Sequence, residues 1–548
     1  MDHFTLTGRV VDIHAGRVFS GVVEIANGRI AAIRETSDAV EASFLLPGFV
    51  DAHVHIESSM MVPSEFARFA APHGTVATVS DPHEIANVLG ADGVRFMVEN
   101  ARRVPFKFHF GVPSCVPATA FETAGATLDA SAVARLFDEL QLGYLAEVMN
   151  FPGVLAGDAD LLAKIAAARC RGLPIDGHAP GLRGTDAARY ATAGPSTDHE
   201  CVTLDEALDK IAAGMKILIR EGSAAKNFAA LHPLLATHPA ACMFCSDDLH
   251  PDNLVRGHID RLVARAVREG HELMAVLRAA STNPVQHYGL PVGLLRVGDP
   301  ADLIAVNNLH DFRVRRTYID GRLVAEDEVP RFDRVAVTPQ NQFNATTKTM
   351  EEFAVPLRGS TLRVIDAFDG KLVTGELHLP AKNVAGQAVA DPAADVLKIV
   401  VVNRYADAPP AIGFIRGFGL KRGAIASSVA HDSHNVVAVG TTDQDLCAAV
   451  NAIIVAKGGL AVADTGRVDV LELPVAGLMS ADGEKVAADY ARLDTAAREL
   501  GSSLTAPFMT LSFMALLVIP ALKLSDRGLF DGGAFRFASV FVSDPESE

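Results

Sequence analysis

Pro47-Gly48-Phe49-Val50-Asp51-Ala52-His53-Val54-His55-Ile56-Glu57 is the stretch that decides the fold of this 548-residue chain. Its apolar residues read as a buried strand, and its polar residues crowd toward the C-terminal end. His53 and His55 are two apart, so on a strand both imidazoles point to the same face. A lone His-x-His fits a surface strand better than a metal site. The neighbouring sequence settles which reading holds.

Downstream, short apolar runs alternate with Ala-rich amphipathic stretches. Strands are expected near 49–56, 75–80, 106–112, 144–150, 173–178, 195–199, 215–220 and 241–247. Helices are expected at 130–140, 158–170, 203–213 and 226–237, with more helix over 254–281. Strand alternating with helix predicts a parallel sheet. Eight repeats over about 240 residues fit a (β/α)₈ TIM-type barrel, although the pattern alone also allows a doubly wound open sheet. Residues 4–34 alternate apolar and polar positions around the turns Ala15-Gly16 and Asn27-Gly28, a hairpin signature. Similar chemistry returns at 296–327. The expected organisation is therefore a discontinuous small β-sandwich-like domain (1–47 and 286–336), the barrel (48–285), and a C-terminal α/β region (351–548) beyond a polar linker near 337–350.

The chemistry lies where polar residues interrupt the apolar strands. Strand four ends in Glu147, strand five in His178, strand six in His199 and strand eight in Asp247. An unpaired buried imidazole or carboxylate costs several kcal/mol. In a barrel the C-terminal strand ends share one mouth, so convergence on metal removes that cost. Four imidazoles and two carboxylates suit two divalent ions. His53, His55 and Asp247 would hold one and His178 and His199 the other, with Glu147 bridging. The mixed nitrogen and oxygen donors fit Zn, Mn or Fe alike.

The opening stretch resembles the first strand of the amidohydrolase superfamily. The longer motifs narrow the resemblance to adenine deaminases of the bacterial type. They are Ile56-Glu57-Ser58-Ser59-Met60-Met61, Pro72-His73-Gly74-Thr75, Asp81-Pro82-His83-Glu84-Ile85-Ala86-Asn87-Val88, Gly177-His178-Ala179-Pro180, Ser246-Asp247-Asp248 and Ala430-His431-Asp432-Ser433-His434-Asn435. The resemblance spans nearly the whole chain. It implies a binuclear centre, often Mn or Fe, and hydrolysis of adenine to hypoxanthine and ammonia. It also implies a homodimer. Many binuclear members bridge their metals with a carboxylated Lys on strand four; this chain has Glu147 there, which counts against dihydroorotase-like and hydantoinase-like readings.

On this reading the metals acidify water to a pKa near about 7. Asp247 accepts its proton and delivers it to the leaving amine. Glu84 and Glu57 are the candidates for protonating a ring nitrogen, with support or helix-start capping as the competing role for each. Ser58, His83, His431, Asp432 and His434 are the candidate purine contacts, the last three on a segment that would cover the barrel mouth. Arg183, His73 and His109 read as scaffold.

Composition excludes other classes. A formal net charge of -17 lacks the basic footprint of nucleic-acid binding. Six Cys in this length make no disulfide framework, and Cys242 and Cys245 read as reduced residues of a buried strand. The N-terminus shows neither a basic nor an apolar targeting segment, so the cytoplasm is the expected location. Phe508–Leu522 is too short to span a membrane and reads as buried core. His55-Ile56-Glu57 matches half of the other zinc-deaminase signature, but the P-C-x-x-C half is missing. Another binuclear amidohydrolase and a non-catalytic purine-binding protein are the alternatives. The second has no use for so many strand-end ligands.

Overall fold

A computed structural model describes residues 3–38 and 40–542. Residues 3–47 and 303–330 interleave in one eight-stranded sheet. Strands His3–Asp12, Arg17–Ala26, Arg29–Glu35 and Phe44–Pro47 join strands from Leu303 to Pro330. Asn27 and Gly28 form the two-residue turn of its hairpin, with φ of 53° and 77°. Both values match the primed turn that follows the natural strand twist.

Pro47-Gly48 carries the chain from this sheet into the barrel. A Cβ on Gly48 would lie 2.3 Å from the Val76 side chain, so no larger residue fits there without displacing the second barrel strand. The barrel strands are Phe49–Val54, Thr75–Ser80, Lys107–Val112, Tyr144–Val148, Ile175–Gly177, Thr197–Asp198, Lys216–Arg220 and Cys242–Cys245; the first five pair parallel in chain order, as do the last three, and the Ser196 N–H donates to the Ile175 carbonyl at 2.8 Å where the two arcs meet. A parallel bridge between Val54 and Asp247 closes the ring, with Asp247 N–H donating to the His53 carbonyl at 2.9 Å. The strands are buried almost throughout, as both faces of a helix-covered parallel sheet must be.

The helices follow their local signals. Asp129, Asp158 and Thr203 accept backbone N–H groups at the starts of Ala130–Leu140, Ala159–Cys170 and Leu204–Ala212, each supplying an acceptor to otherwise orphaned donors. Two expected helices break. The 226–237 stretch becomes Phe228–Leu231 and Leu234–Thr237, separated at His232-Pro233, because Pro233 cannot donate within a continuous helix. The 254–281 stretch divides at Gly257 and Gly270, where φ is 162° and 90°. Cys242 and Cys245 are free and buried in the last barrel strand.

Residues 331–349 run without regular structure yet are pinned: Arg404 Nη2 donates to Asn341 Oδ1 at 2.7 Å. The C-terminal region is built on an eight-stranded sheet that is antiparallel except between Thr361–Ala367 and Ala411–Arg416. Helix Asp443–Ala456 covers one face. The opposite face continues into the barrel core, where Ile365, Ile399, Val437 and Leu511 share a cluster with Val79 and Ile85. Helix Pro507–Ser512 and the turn Phe513–Ala515 lie buried in this junction. Among the described residues no helix is long and apolar enough to cross a membrane.

Candidate metal centre

Chain order places six side chains around one point at the C-terminal end of the barrel. His53 Nε2 and His55 Nε2 are 3.2 Å apart, and Asp247 Oδ1 lies 3.5 and 3.3 Å from them. Glu147 occupies the middle: its Oε1 is 3.4 Å from His55 Nε2, and its Oε2 is 2.5 Å from His178 Nδ1 and 3.1 Å from His199 Nε2. One carboxylate oxygen thus faces each half of the cluster. The His53 and His199 rings stack at 4.1 Å. Sets of three or more of these donors fall within 4.8 Å of one another, all buried.

Burial pushes the Glu147 carboxyl upward, but the His178 and His199 imidazoles outweigh it and hold the group well below the usual carboxylate range. Asp247 is likewise pushed up by burial and held well below by the Arg220 guanidinium, then by His55 and His199. Among the described residues, His53 Nδ1, His178 Nε2 and both nitrogens of His83 have no hydrogen-bond partner despite burial. Buried polar atoms rarely go unpaired. These orphans, with the mixed imidazole and carboxylate set, fit a divalent metal.

The surrounding residues hold the donors in place. Asp51 accepts from the Ser246 N–H at 2.9 Å and faces His258 Nε2 at 2.9 Å. Asp176 lies 3.8 Å from His53 Nδ1 and accepts from Tyr288 OH at 2.9 Å. Such partners orient metal-ligating imidazoles. Asp247 itself sits at φ 55°, in the left-handed region that only well-fixed surroundings maintain.

A small cavity adjoins the cluster, lined by His83, Glu84 and Asp248 from the barrel and by His431, Asp432 and Phe513 from the C-terminal region. His83 Nε2 is 3.6 Å from Asp432 Oδ1 and 3.5 Å from Glu84 Oε1. Three of the residues singled out from sequence stand behind this lining. Glu57 accepts the Ile85 N–H at 3.1 Å, a helix-start brace, and burial with nearby Glu84 pushes its carboxyl up to about 7. Ser58 Oγ donates to Asp248 Oδ1 at 2.5 Å. His434 hydrogen-bonds Glu84 from the far side. Arg183 pairs with Asp209 at 2.6 Å, and His109 stacks on Tyr144 with planes 9° apart.

Sequence reasoning passed over several participants. Glu200 Oε1 lies 3.7 Å from His199 Nε2, and Asp81 Oδ2 lies 3.3 Å from His83 Nδ1. Arg220, at the end of strand seven, is fully buried and bridges Asp247 and Glu200. A signal existed for all three: Glu200 directly follows His199, Asp81 opens the motif holding His83, and Arg220 ends an otherwise apolar strand. Leu372, Leu516 and Val518 complete the lining, and their sequence carries no such mark.

A barrel closed over imidazoles and carboxylates of this kind defines a metal-dependent hydrolase. Residues 44–324 match the amidohydrolase family, and residues 371–536 match the adenine deaminase C-terminal domain. An adenine deaminase of Salinibacter ruber is 56% identical over 542 residues, covering 98% of this chain and 99% of that one. One from a Sulfurovum species is 56% identical, covering 96% and 98%. One from Methanosarcina barkeri is 52% identical, covering 98% and 100%. The chain belongs to the adenine deaminase family.

Proposed function

We propose that this protein hydrolyses adenine to hypoxanthine and ammonia at a centre of two divalent ions. The observation that carries the reading is the placement of Glu147, one oxygen toward His55 and the other toward His178 and His199, beneath a cavity roofed by the C-terminal region. His53, His55 and Asp247 would hold one ion and His178 and His199 the other, with Glu147 shared. The donor set suits Mn or Fe, and Zn as well. Ions bound there would lower the pKa of water toward about 7.

The chain's own residues supply the remaining chemistry. His83 and Asp432, with unpaired nitrogens and an unpaired oxygen on the cavity wall, offer hydrogen-bonding partners to the edge of a purine. Asp247, with Oδ2 paired to Arg220, would sit beside the attacking water, accept its proton and return it to the departing amine. Glu84 lines the cavity while Glu57 does not, so Glu84 is the group placed to manage the proton at a ring nitrogen. Burial of these side chains lowers the local dielectric and strengthens each of these interactions.

Turnover should be measured on adenine, guanine and pterins by ammonia release and on hydantoins by ring opening, together with bound metal. Turnover of adenine with two ions per chain is the expected outcome. Ammonia from every amine except adenine would overturn the substrate assignment.

A further inference from the structure

Glu84 opens helix His83–Leu89 of the barrel, yet both of its carboxylate oxygens are taken by side chains from the C-terminal sheet. His431 Nδ1 contacts Oε1 and His434 Nε2 contacts Oε2. The two imidazoles lie on the turn between strands Ala424–Ser427 and Val436–Gly440, about 350 positions further along the chain.

The ring of His434 is orientated by its own loop. The Ala430 N–H donates to His434 Nδ1 at 3.1 Å, so that nitrogen is an acceptor and Nε2 carries the hydrogen. Burial holds this imidazole below its ordinary pKa, consistent with a neutral ring in that single tautomer. Nε2–H therefore donates to Glu84 Oε2. His431 stacks on Phe513 at 4.7 Å with planes 15° apart. That packing aims its Nδ1 at Glu84 and leaves Nε2 facing the cavity without a partner.

The supporting loop is itself anchored. The Tyr405 hydroxyl donates to the Ser433 carbonyl at 2.6 Å. The Asn435 side chain donates to the Thr123 carbonyl at 2.9 Å and accepts from the Arg404 N–H at 3.0 Å. His434 sits at φ 54°, a left-handed conformation that persists in a residue with a side chain only where the surroundings fix it. A rigid, strained loop that spends its two imidazoles on one barrel carboxylate is a positioning device.

We propose that the C-terminal domain fixes the barrel's Glu84 through His434 and His431, making His434 a positioning residue that acts only through Glu84. The inference rests on the reading of the cavity as the adenine site. It assigns the C-terminal domain a definite task. The barrel supplies the carboxylate that manages a proton, and the appended sheet sets the angle at which that carboxylate meets the substrate.

The test is a double-mutant cycle on the full-length, metal-loaded enzyme. His434→Ala should lower kcat on adenine about 10- to 100-fold, as losing an orienting partner does, with KM within about threefold and bound metal unchanged. Gln carries an amide N–H where His434 has Nε2, so His434→Gln should recover most of the loss, whereas His434→Asn, whose amide falls short, should not. In a Glu84→Ala background, His434→Ala should change kcat by less than about twofold, since coupled sites are non-additive. The same cycle read by thermal unfolding should show coupling whether or not adenine is turned over.

A full multiplicative loss in the Glu84→Ala background overturns the proposal. So does a loss confined to KM, a fall in bound metal that tracks kcat, or equal activity of the Gln and Asn variants. If His434→Ala does not fold, the Gln and Asn pair decides alone. A wild-type enzyme inert toward adenine, with thermal coupling intact, would refute the substrate and not the contact.

Discussion

On the barrel, six metal-suited side chains project from five strand ends and face one another across a shared gap, with Glu147 between the two halves. On the C-terminal sheet, one loop supplies His431, Asp432 and His434, and two of these three turn toward a barrel carboxylate. The first arrangement collects donors for a cation. The second roofs the cavity and contacts Glu84, a barrel residue outside the first. In the proposed reading the two regions divide the work: strand ends hold the cation, and a distant loop shapes the space above it. A barrel alone would present the same ligands to a mouth without its roof.

The sharpest way to break this division is to remove the shared carboxylate oxygen charge. Glu147→Gln should lose bound metal and adenine turnover together, the latter by at least about a hundredfold, as read by metal analysis beside an ammonia assay. Full activity with two ions in that variant would refute the bridging role. Glu84→Gln touches the other side of the division. It should lower kcat by about 10²–10⁴-fold, the usual worth of a placed acid or base, with metal content unchanged.

Arg220 tests how the barrel tolerates its buried acids. It pairs with Glu200 at 2.6 Å and with Asp247, all three within the core. Arg220→Met strands two buried carboxylates and should destabilise the fold by about 3–5 kcal/mol. A thermal midpoint equal to that of the wild type would mean that neighbouring imidazoles carry the compensation instead.

Glu122 probes the seam between the two regions. Burial, followed by the nearby Asp432 charge, pushes its carboxyl from 4.5 up to about 8. The folded protein therefore keeps this proton over a window in which the unfolded chain has released it. The associated stability is present in full below about pH 4.5 and is lost as pH rises toward about 8, by up to about 1.4 kcal/mol per pH unit. Glu122→Gln removes that slope, so unfolding midpoints of variant and wild type should diverge in the variant's favour between mildly acidic and mildly alkaline buffer. Parallel midpoints would contradict the assignment.

The smallest effect belongs to Glu57. Gln keeps the acceptor that Ile85 N–H uses, so Glu57→Gln should alter kcat by less than about threefold, the worth of weakening one hydrogen bond. A loss matching that of Glu84→Gln would return Glu57 to the proton-handling role.

Much of the barrel and of the flanking sheet was legible because its signals are local. The alternation of strands and helices and the Asn27-Gly28 turn each depend on a few adjacent residues. The two broken helices were less legible. Apolar spacing persisted through His232-Pro233 and Gly257, and only the backbone limits of Pro and the freedom of Gly interrupt it.

Two residues apart on a strand means one face, and parallel strands in a barrel share one end. Those two rules brought His53, His55, Glu147, His178, His199 and Asp247 together from sequence alone, and the structure gathers the same residues at one end of the barrel. Nothing local tells Glu84 from Glu57, since both follow strand ends in polar motifs. Only the tertiary structure separates them: Glu57 faces the start of a helix, whereas Glu84 faces the cavity and meets His434 across 350 positions of chain. The aliphatic roof of Leu372, Leu516 and Val518 is decided in the same way, because a leucine that lines a cavity and one that fills a core look alike until the packing of distant segments gives one of them an open side.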